Sequence, residues 1–185
     1  MPTALIVILA IVAVVLLFGI SQYNGFVRLK NLVEEAFSTM DVYLKKRYDL
    51  IPNIVETVKG YASHEKDTLQ GVIEARNKAA NATTPEARIE AEGDLNKVMG
   101  RLFALTESYP DLKANTNFMD LQGQLQTIET EIAQSRKYYN GTVRQYNTKR
   151  ESFPSNIIAG MFNFAAKPLF EITDDAERAN VKVQF

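Results

Sequence analysis

The sequence predicts an all-α fold: an N-terminal transmembrane helix continues into a long antiparallel four-helix bundle, followed by a short apolar C-terminal segment. Three observations carry this. From Ala4 to Phe18 every side chain is apolar, and only Gly19 separates that run from Ile20. Between residues 23 and 153, apolar residues recur at spacings of three and four in four successive stretches, the mark of helices with one buried face. No part of that region alternates with the period of two expected of half-buried strands.

The first element is the apolar run. As a helix, residues 4–20 rise about 26 Å at ~1.5 Å per residue. With Met1, Pro2, Ser21 and Gln22 in the headgroup zones, they cross a hydrocarbon core of roughly 30 Å. A cleaved signal peptide would carry a basic leading region and a small-x-small cleavage site. Here the leading residues are Met1-Pro2-Thr3, and Phe18-Gly19-Ile20-Ser21-Gln22 offers no such site. A core helix would show a polar stripe, whereas this one is apolar all round. A retained anchor is the preferred reading, with the lipid bilayer as partner through residues 4–20. No basic side chain precedes the span, while Arg28 and Lys30 follow it. This bias places the amino terminus outside and the bundle in the cytoplasm of a single-pass protein.

The chain has 185 residues, and the roughly 160 beyond the anchor suit one domain. The expected organisation is an anchor over 1–22, a bundle over 23–153 and an apolar segment with tail over 154–185. A formal net charge of −1 provides no field for nucleic acid, and no nucleic-acid partner is expected. Lys45-Lys46-Arg47 is the one tight basic cluster. On a helix continuous with the anchor it lies about 35 Å from the membrane, beyond electrostatic reach of headgroups, and it reads as a solvated face. The chain has no cysteine, which excludes disulfides, thiol nucleophiles, cysteine-ligated metals and a lipidated cysteine. The single histidine, His64, cannot supply paired imidazoles, and Tyr61 stands where a Glu-x-x-His motif needs its glutamate. His64-Glu65 reads as an exposed pair rather than an acid/base couple. No catalytic residue, cofactor or metal site is expected.

The four bundle helices follow in order. The first continues from the anchor with Phe26, Leu29, Val33, Ala36, Met40 and Leu44 on its stripe. Pro52, which lacks an N–H, is expected to end or kink it near Tyr48-Asp49-Leu50. The second runs from about Pro52 to Ala80, with Ile51, Val55, Val58, Ala62, Leu69, Val72 and Ala79 on one seam that Glu65 and Arg76 interrupt. Thr84-Pro85-Glu86 starts the third: a capping hydroxyl, a proline in the first turn and an acid at the positive helix end. Its stripe is Ala91, Leu95, Val98, Leu102 and Leu105, up to Tyr109, before Pro110 stops it. The fourth is the most regular, with Phe118, Leu121, Leu125, Ile128, Ile132, Tyr139, Val143 and Tyr146, and Ser135 in the one gap. After Pro154 the chain turns apolar without the length to span a membrane. Its last five residues, Val181 to Phe185, alternate like a short strand.

Several strings resemble the bacterial LemA family. They are Tyr23-Asn24 after the anchor, Lys46-Arg47-Tyr48-Asp49-Leu50-Ile51-Pro52-Asn53, Val58-Lys59-Gly60-Tyr61-Ala62 and Tyr109-Pro110-Asp111-Leu112-Lys113-Ala114-Asn115. Asn117-Phe118, Tyr138-Tyr139-Asn140, Tyr146-Asn147 and Phe153-Pro154-Ser155-Asn156 complete the match. The resemblance covers nearly the whole chain. It implies a membrane-anchored bacterial protein with a long helical bundle and no established enzymatic activity. It also implies two anchor types, a membrane helix or a lipidated cysteine. This chain is similar to the helix type. The lipidated type keeps an extracytoplasmic bundle as the alternative placement.

The expected function is a non-enzymatic membrane scaffold that forms homo-oligomers through its bundle flank and C-terminal segment, holding an interaction surface at fixed height. The alternative is an adaptor for a membrane protease or signalling protein. Candidate interaction residues are Asp49, Pro52 and Asn53 at the expected first junction, and Tyr109, Pro110, Asp111 and Lys113 at the third. In the tail they are Ile157, Met161, Phe162, Phe164 and Phe170, on a segment that packs back on its own bundle or docks to a neighbouring subunit, with Val181, Val183 and Phe185 as a strand that could add to a neighbour.

Overall fold

The computed structural model describes residues 2–171, which form helices and, among the described residues, no strand. In order they are α1 (Pro2–Lys59), α2 (Lys66–Asn81), α3 (Pro85–Thr106), α4 (Pro110–Lys113), α5 (Thr116–Glu151) and α6 (Ser155–Met161). Residues 3–18 of α1 are exposed on every face, which a core helix could not be. The described residues divide into two compact units. Unit 1 draws on residues 2–39 and Ser135–Leu169, and unit 2 on Met40–Gln134 and residues 170–171. The expected strand at Val181, Val183 and Phe185 lies outside the described residues.

Unit 1 is closed by rings. Phe26, fully buried, stacks on Phe164 at 4.8 Å between centroids and meets Tyr146 edge-on at 6.1 Å. Tyr139 receives Phe37 edge-on at 5.6 Å and donates its hydroxyl to the Pro168 carbonyl at 2.9 Å. The segment after α6 is held by its own chain. Asn147 Nδ2 donates to the Lys167 carbonyl, Lys167 N–H donates to Asn147 Oδ1, and Arg150 Nε donates to the Phe164 carbonyl. The turn that brings Phe164 back begins at Asn163, whose φ of 54° is left-handed. Asn163 N–H bonds the Gly160 carbonyl and Phe164 N–H bonds the Ala159 carbonyl at 2.9 Å. This paired pattern closes a helix C-terminus through a left-handed residue, a position asparagine tolerates.

Unit 2 buries most of the stripes read from the sequence: Met40, Leu44, Ile51 and Val58 on α1, Leu69, Val72 and Ala79 on α2, Leu95 and Leu102 on α3, Phe118, Leu125 and Ile132 on α5, where Leu121 and Ile128 are half-buried. The α3 N-terminus forms as expected, with Pro85 in the first turn and Thr84 Oγ1 accepting from Ala87 N–H at 3.2 Å. Asn115 caps α5 in the same manner, its side chain accepting from Phe118 N–H at 2.9 Å.

Three expectations need correcting. Pro52 does not end the first helix; α1 passes through it to Lys59. Proline removes the donor for the carbonyl four residues back, that of Tyr48. Arg76 Nε supplies the replacement, donating to the Tyr48 carbonyl at 2.9 Å. The break falls instead at Gly60–Glu65, where the stripe gives way to Gly60 and the polar Ser63-His64-Glu65. On α3, Met99 and Thr106 are buried where Val98 and Leu105 were expected, and the latter two are half-buried. Arg47 is 3 % exposed, the opposite of a solvated face.

Candidate functional site

In unit 2, Arg47 and Tyr48 on α1 form the centre of a buried polar cluster. The spacing 40, 44, 47, 51 puts Arg47 on the apolar stripe, and 92, 95, 99, 102 puts Glu92 on that of α3, so helix periodicity aims each at the core. Arg47 Nη1 donates to Glu92 Oε2 at 3.0 Å, and Nη2 to Asn96 Oδ1 at 2.6 Å. Glu129 Oε1 of α5 lies 3.0 Å from Arg47 Nε, off the N–H direction, so that contact is ionic without being a hydrogen bond. Tyr48 donates its hydroxyl to the other Glu92 oxygen in a short hydrogen bond. Arg88, over the Tyr48 ring at 6.0 Å, pairs with Asp41 and donates to the Ala82 carbonyl at 2.7 Å.

Burial dominates the electrostatics. It raises the Glu92 pKa above the ordinary carboxylate value, against the pull of Arg47 and the Tyr48 hydrogen bond, and Glu129 adds to the rise. Burial and the facing Glu92 carboxylate push the Tyr48 hydroxyl far above its usual range, so it stays a donor. Glu92 and Arg47 side chains are each 3 % exposed. The cluster therefore links helices to one another, with its acid and base groups turned inward.

In unit 1, a groove of about 690 Å³ runs beside the end of the apolar run. Val15, Leu16, Phe18 and Ile20 of α1 form one wall, and Ile157, Ile158 and Met161 of α6 the other. A Cβ at Gly19 would lie 3.9 Å from Ile158 Cδ1, an ordinary van der Waals contact, so α6 packs here at a distance that would also admit an alanine. Tyr23 closes the end against Phe162 at 4.8 Å and Phe164 at 5.7 Å.

The residues expected to carry interactions are distributed as follows. Asp49 is exposed and pairs with Lys45 at 3.0 Å and with Arg76 at 3.9 Å. Pro52 is half-buried and Asn53 exposed, both inside α1 rather than at a junction. Tyr109 caps α4, Pro110 and Asp111 occupy its first turn, and exposed Lys113 pairs with Glu107 at 2.6 Å. No hydrogen bond or ion pair joins the 49–53 group to the 109–113 group among the described residues. The 109–115 loop instead meets the Gly60–Glu65 loop, where Asn115 Nδ2 donates to Tyr61 Oη at 2.9 Å. In the tail, Ile157, Met161 and Phe162 are exposed, Phe164 is half-buried on Phe26, and Phe170 is buried. The apolar segment expected to pack on its own chain or on a neighbour thus turns Phe164 inward and leaves three side chains out. Arg47, Glu92, Glu129, Asn96 and Arg88 were not foreseen as a cluster. The available signal was the arginine and the glutamate standing on apolar stripes.

These features fit a class, the membrane-anchored all-helical proteins: an exposed apolar helix long enough to cross a bilayer, joined to helical units with sealed cores. The family profile described as the LemA family matches residues 36–185, and the chain belongs to that family. It is 24 % identical over 163 residues to Protein LemA of Metamycoplasma hominis, covering 88 % of this chain and 74 % of that one. It is 22 % identical over 198 residues to Magnetosome protein MamQ 2 of Paramagnetospirillum magneticum, covering 92 % and 73 %. With Magnetosome protein MamQ of Magnetospirillum gryphiswaldense it shares 23 % over 169 residues, covering 77 % and 62 %. Family and apolar helix together fit a membrane-anchored bacterial protein.

Proposed function

We propose that this chain is a non-enzymatic membrane scaffold. Its α1, α2, α3 and α5 segments form an antiparallel four-helix bundle in unit 2, and neighbouring copies associate along the bundle flanks. The observation that carries the reading is the Arg47–Tyr48 cluster. The helix that holds the anchor also supplies the arginine and tyrosine on which α2, α3 and α5 converge, through Arg76, Glu92 and Glu129. Groups suited to proton transfer are there consumed in pairing one another, which favours a mechanical role over a chemical one. Retention of the anchor is favoured by the apolar wall that Leu16, Phe18 and Ile20 present to Ile157, Ile158 and Met161, which cleavage near that point would remove. Arg28 and Lys30 favour a cytoplasmic bundle. Confinement to two dimensions raises the effective concentration of copies, so weak flank contacts suffice.

The test is the mass of the protein extracted in native lipid discs. Particles of several times the 20.8 kDa chain mass are expected, and a strict monomer at membrane-like density overturns self-association. One observation favours the adaptor reading: the Asn115–Tyr61 hydrogen bond gathers two loops at one place, beside exposed Asp111 and Lys113. Under the scaffold reading, Asp111→Lys with Lys113→Glu leaves particle mass unchanged. Loss of a stoichiometric second protein from the purified particle would favour the adaptor.

A further inference from the structure

We propose that the outward face of α6, with Phe153 before it and Phe162 after it, is a lipid-docking surface that enters the acyl-chain boundary beside the anchor. This rests on the anchor reading and adds a second membrane contact to it. The first ground is continuity. One wall of the groove is Val15, Leu16, Phe18 and Ile20, which belong to the span itself. Whatever surrounds that wall surrounds the facing wall of Ile157 and Met161, and around a membrane span that medium is hydrocarbon.

The second ground is how the segment is divided. Its inner side is occupied by its own chain: Ser155 and Ala159 are buried, and Phe164 stacks on Phe26. Its outer side presents Phe153 at 80 % exposure and Met161 at 68 %, with no charged side chain from Ser152 to Ala166. Large apolar groups left out together mark a contact surface. The third ground is the Tyr23–Phe162 pair just past the span, where aromatic rings settle at the headgroup level. A second copy of the chain would have to displace lipid from a wall that is itself part of the span. The acyl chains of the adjoining leaflet are the occupant that needs no such displacement. A short helix lying in the interface in this way buries its apolar face at the headgroup boundary.

The absence of cysteine makes the test direct. Leu9→Cys, Ile157→Cys, Met161→Cys and Gln122→Cys, each in the full chain, are labelled with an environment-sensitive fluorophore. They are reconstituted into phosphatidylcholine vesicles with and without brominated acyl chains, and iodide is added from the aqueous side. Bromine is expected to quench the labels at 157 and 161 to an extent comparable with that at 9, and to leave 122 bright. If 9 is quenched while 157 and 161 are not, the α6 docking is overturned and the anchor stands. If 157 and 161 escape both bromine and iodide, protein covers them and a second copy is the occupant, which also overturns the proposal. If 9 itself escapes bromine, the anchor reading fails and the docking fails with it. Two α6 positions, both exposed, keep the result independent of any single substitution that disturbs folding.

Discussion

Unit 1 and unit 2 share α1 and α5, yet they close their cores by different means. In unit 1 rings close the core, Phe26 on Phe164 and Tyr146, Phe37 on Tyr139, Tyr23 on Phe162, and hydrogen bonds from α5 side chains to backbone carbonyls hold the segment after α6. In unit 2 the apolar stripes are interrupted at one level by Arg47, Tyr48 and Glu92, each bonded to another. Ring packing tolerates small shifts, because dispersion and apolar burial fall off gradually with position. A buried ion pair does not. A one-residue slip of α3 would strand Glu92 and Arg47 as unpaired charges, whose desolvation costs several kcal/mol or more. The comparison teaches a division of labour, in which unit 1 gains area and unit 2 fixes register.

The largest expected effect tests that division. Glu92→Leu leaves Arg47 buried with Asn96 and an edge contact to Glu129, and should lower stability by about 3–5 kcal/mol. Arg47→Met combined with Glu92→Leu should recover most of that loss, because no charge then remains buried. Phe26→Ala in unit 1 should cost a similar ~3–5 kcal/mol, with nothing at Phe164 able to restore it. Urea unfolding of the detergent-solubilised chain, followed by helical circular dichroism, measures all of these. A double variant as unstable as Glu92→Leu alone would show that the cluster does not act as a pair.

A smaller effect concerns Pro52. Arg76→Leu removes the donor to the Tyr48 carbonyl and should cost about 1–3 kcal/mol. In the Pro52→Ala background the backbone N–H of residue 52 takes over that carbonyl, so the same substitution should cost clearly less. Equal costs in the two backgrounds would mean that Arg76 acts only through its partial pairing with Asp49.

Why Pro52 misleads and the stripes do not is a matter of range. The seams through Leu44 and Ile51, or through Leu125 and Ile132, are set by neighbours three and four residues away and are legible directly. The rescue of Pro52 comes from Arg76, 24 positions further on, and no local rule contains it. Arg47 was legible as an anomaly. Lys45, Lys46 and Arg47 look like one cluster in sequence, but successive residues on a helix are turned by about 100° from one another, and only the third falls on the stripe. In the tail, apolarity was plain while direction was not. The left-handed Asn163 decides which rings turn back on α1, and a single sequence does not announce it. The residues expected to carry interactions were least legible in their placement, since the 49–53 string sits within a helix and the 109–115 loop pairs with a loop 54 residues earlier.

The two cores should also differ in their response to pH. Burial raises the Glu92 pKa above its ordinary 4.5 in the folded chain. Between that value and the folded one, the native state holds a proton that the unfolded state has released. Stability from this group is therefore complete below 4.5 and is lost as pH rises through the folded value. The slope is at most about 1.4 kcal/mol per pH unit for one proton. Arg47, Tyr48, Glu129 and Arg88 are the charged or titratable groups acting on it. Asp94, lowered by its hydrogen bond to Lys78, pulls the other way, so the informative quantity is the difference between the native chain and Glu92→Gln. The stability of the native chain relative to Glu92→Gln should rise as pH falls from 7 towards 4.5. Phe26→Ala should show no such change relative to the native chain.

The smallest effect lies at a charged group over the Phe26 ring in unit 1. Lys149 Nζ sits 5.1 Å over the Phe26 ring, passing where a side chain at Gly25 would be: a Cβ there would lie 2.1 Å from it. Burial, and then the neighbouring Arg28, hold the Lys149 pKa below 10.5. Gly25→Ala would push this flexible end into water, losing a cation–ring contact worth about 0.5–1 kcal/mol. It would gain about 1 kcal/mol of helix propensity. The two nearly cancel, so unfolding free energy should change by less than about 0.5 kcal/mol, while Lys149 titrates closer to its ordinary value. The contrast with Glu92 follows from exposure, since Lys149 has water to move into and Glu92 has none. A loss above ~2 kcal/mol, outside what these terms allow, would make Lys149 a structural member of the ring seal and remove the distinction between the two cores.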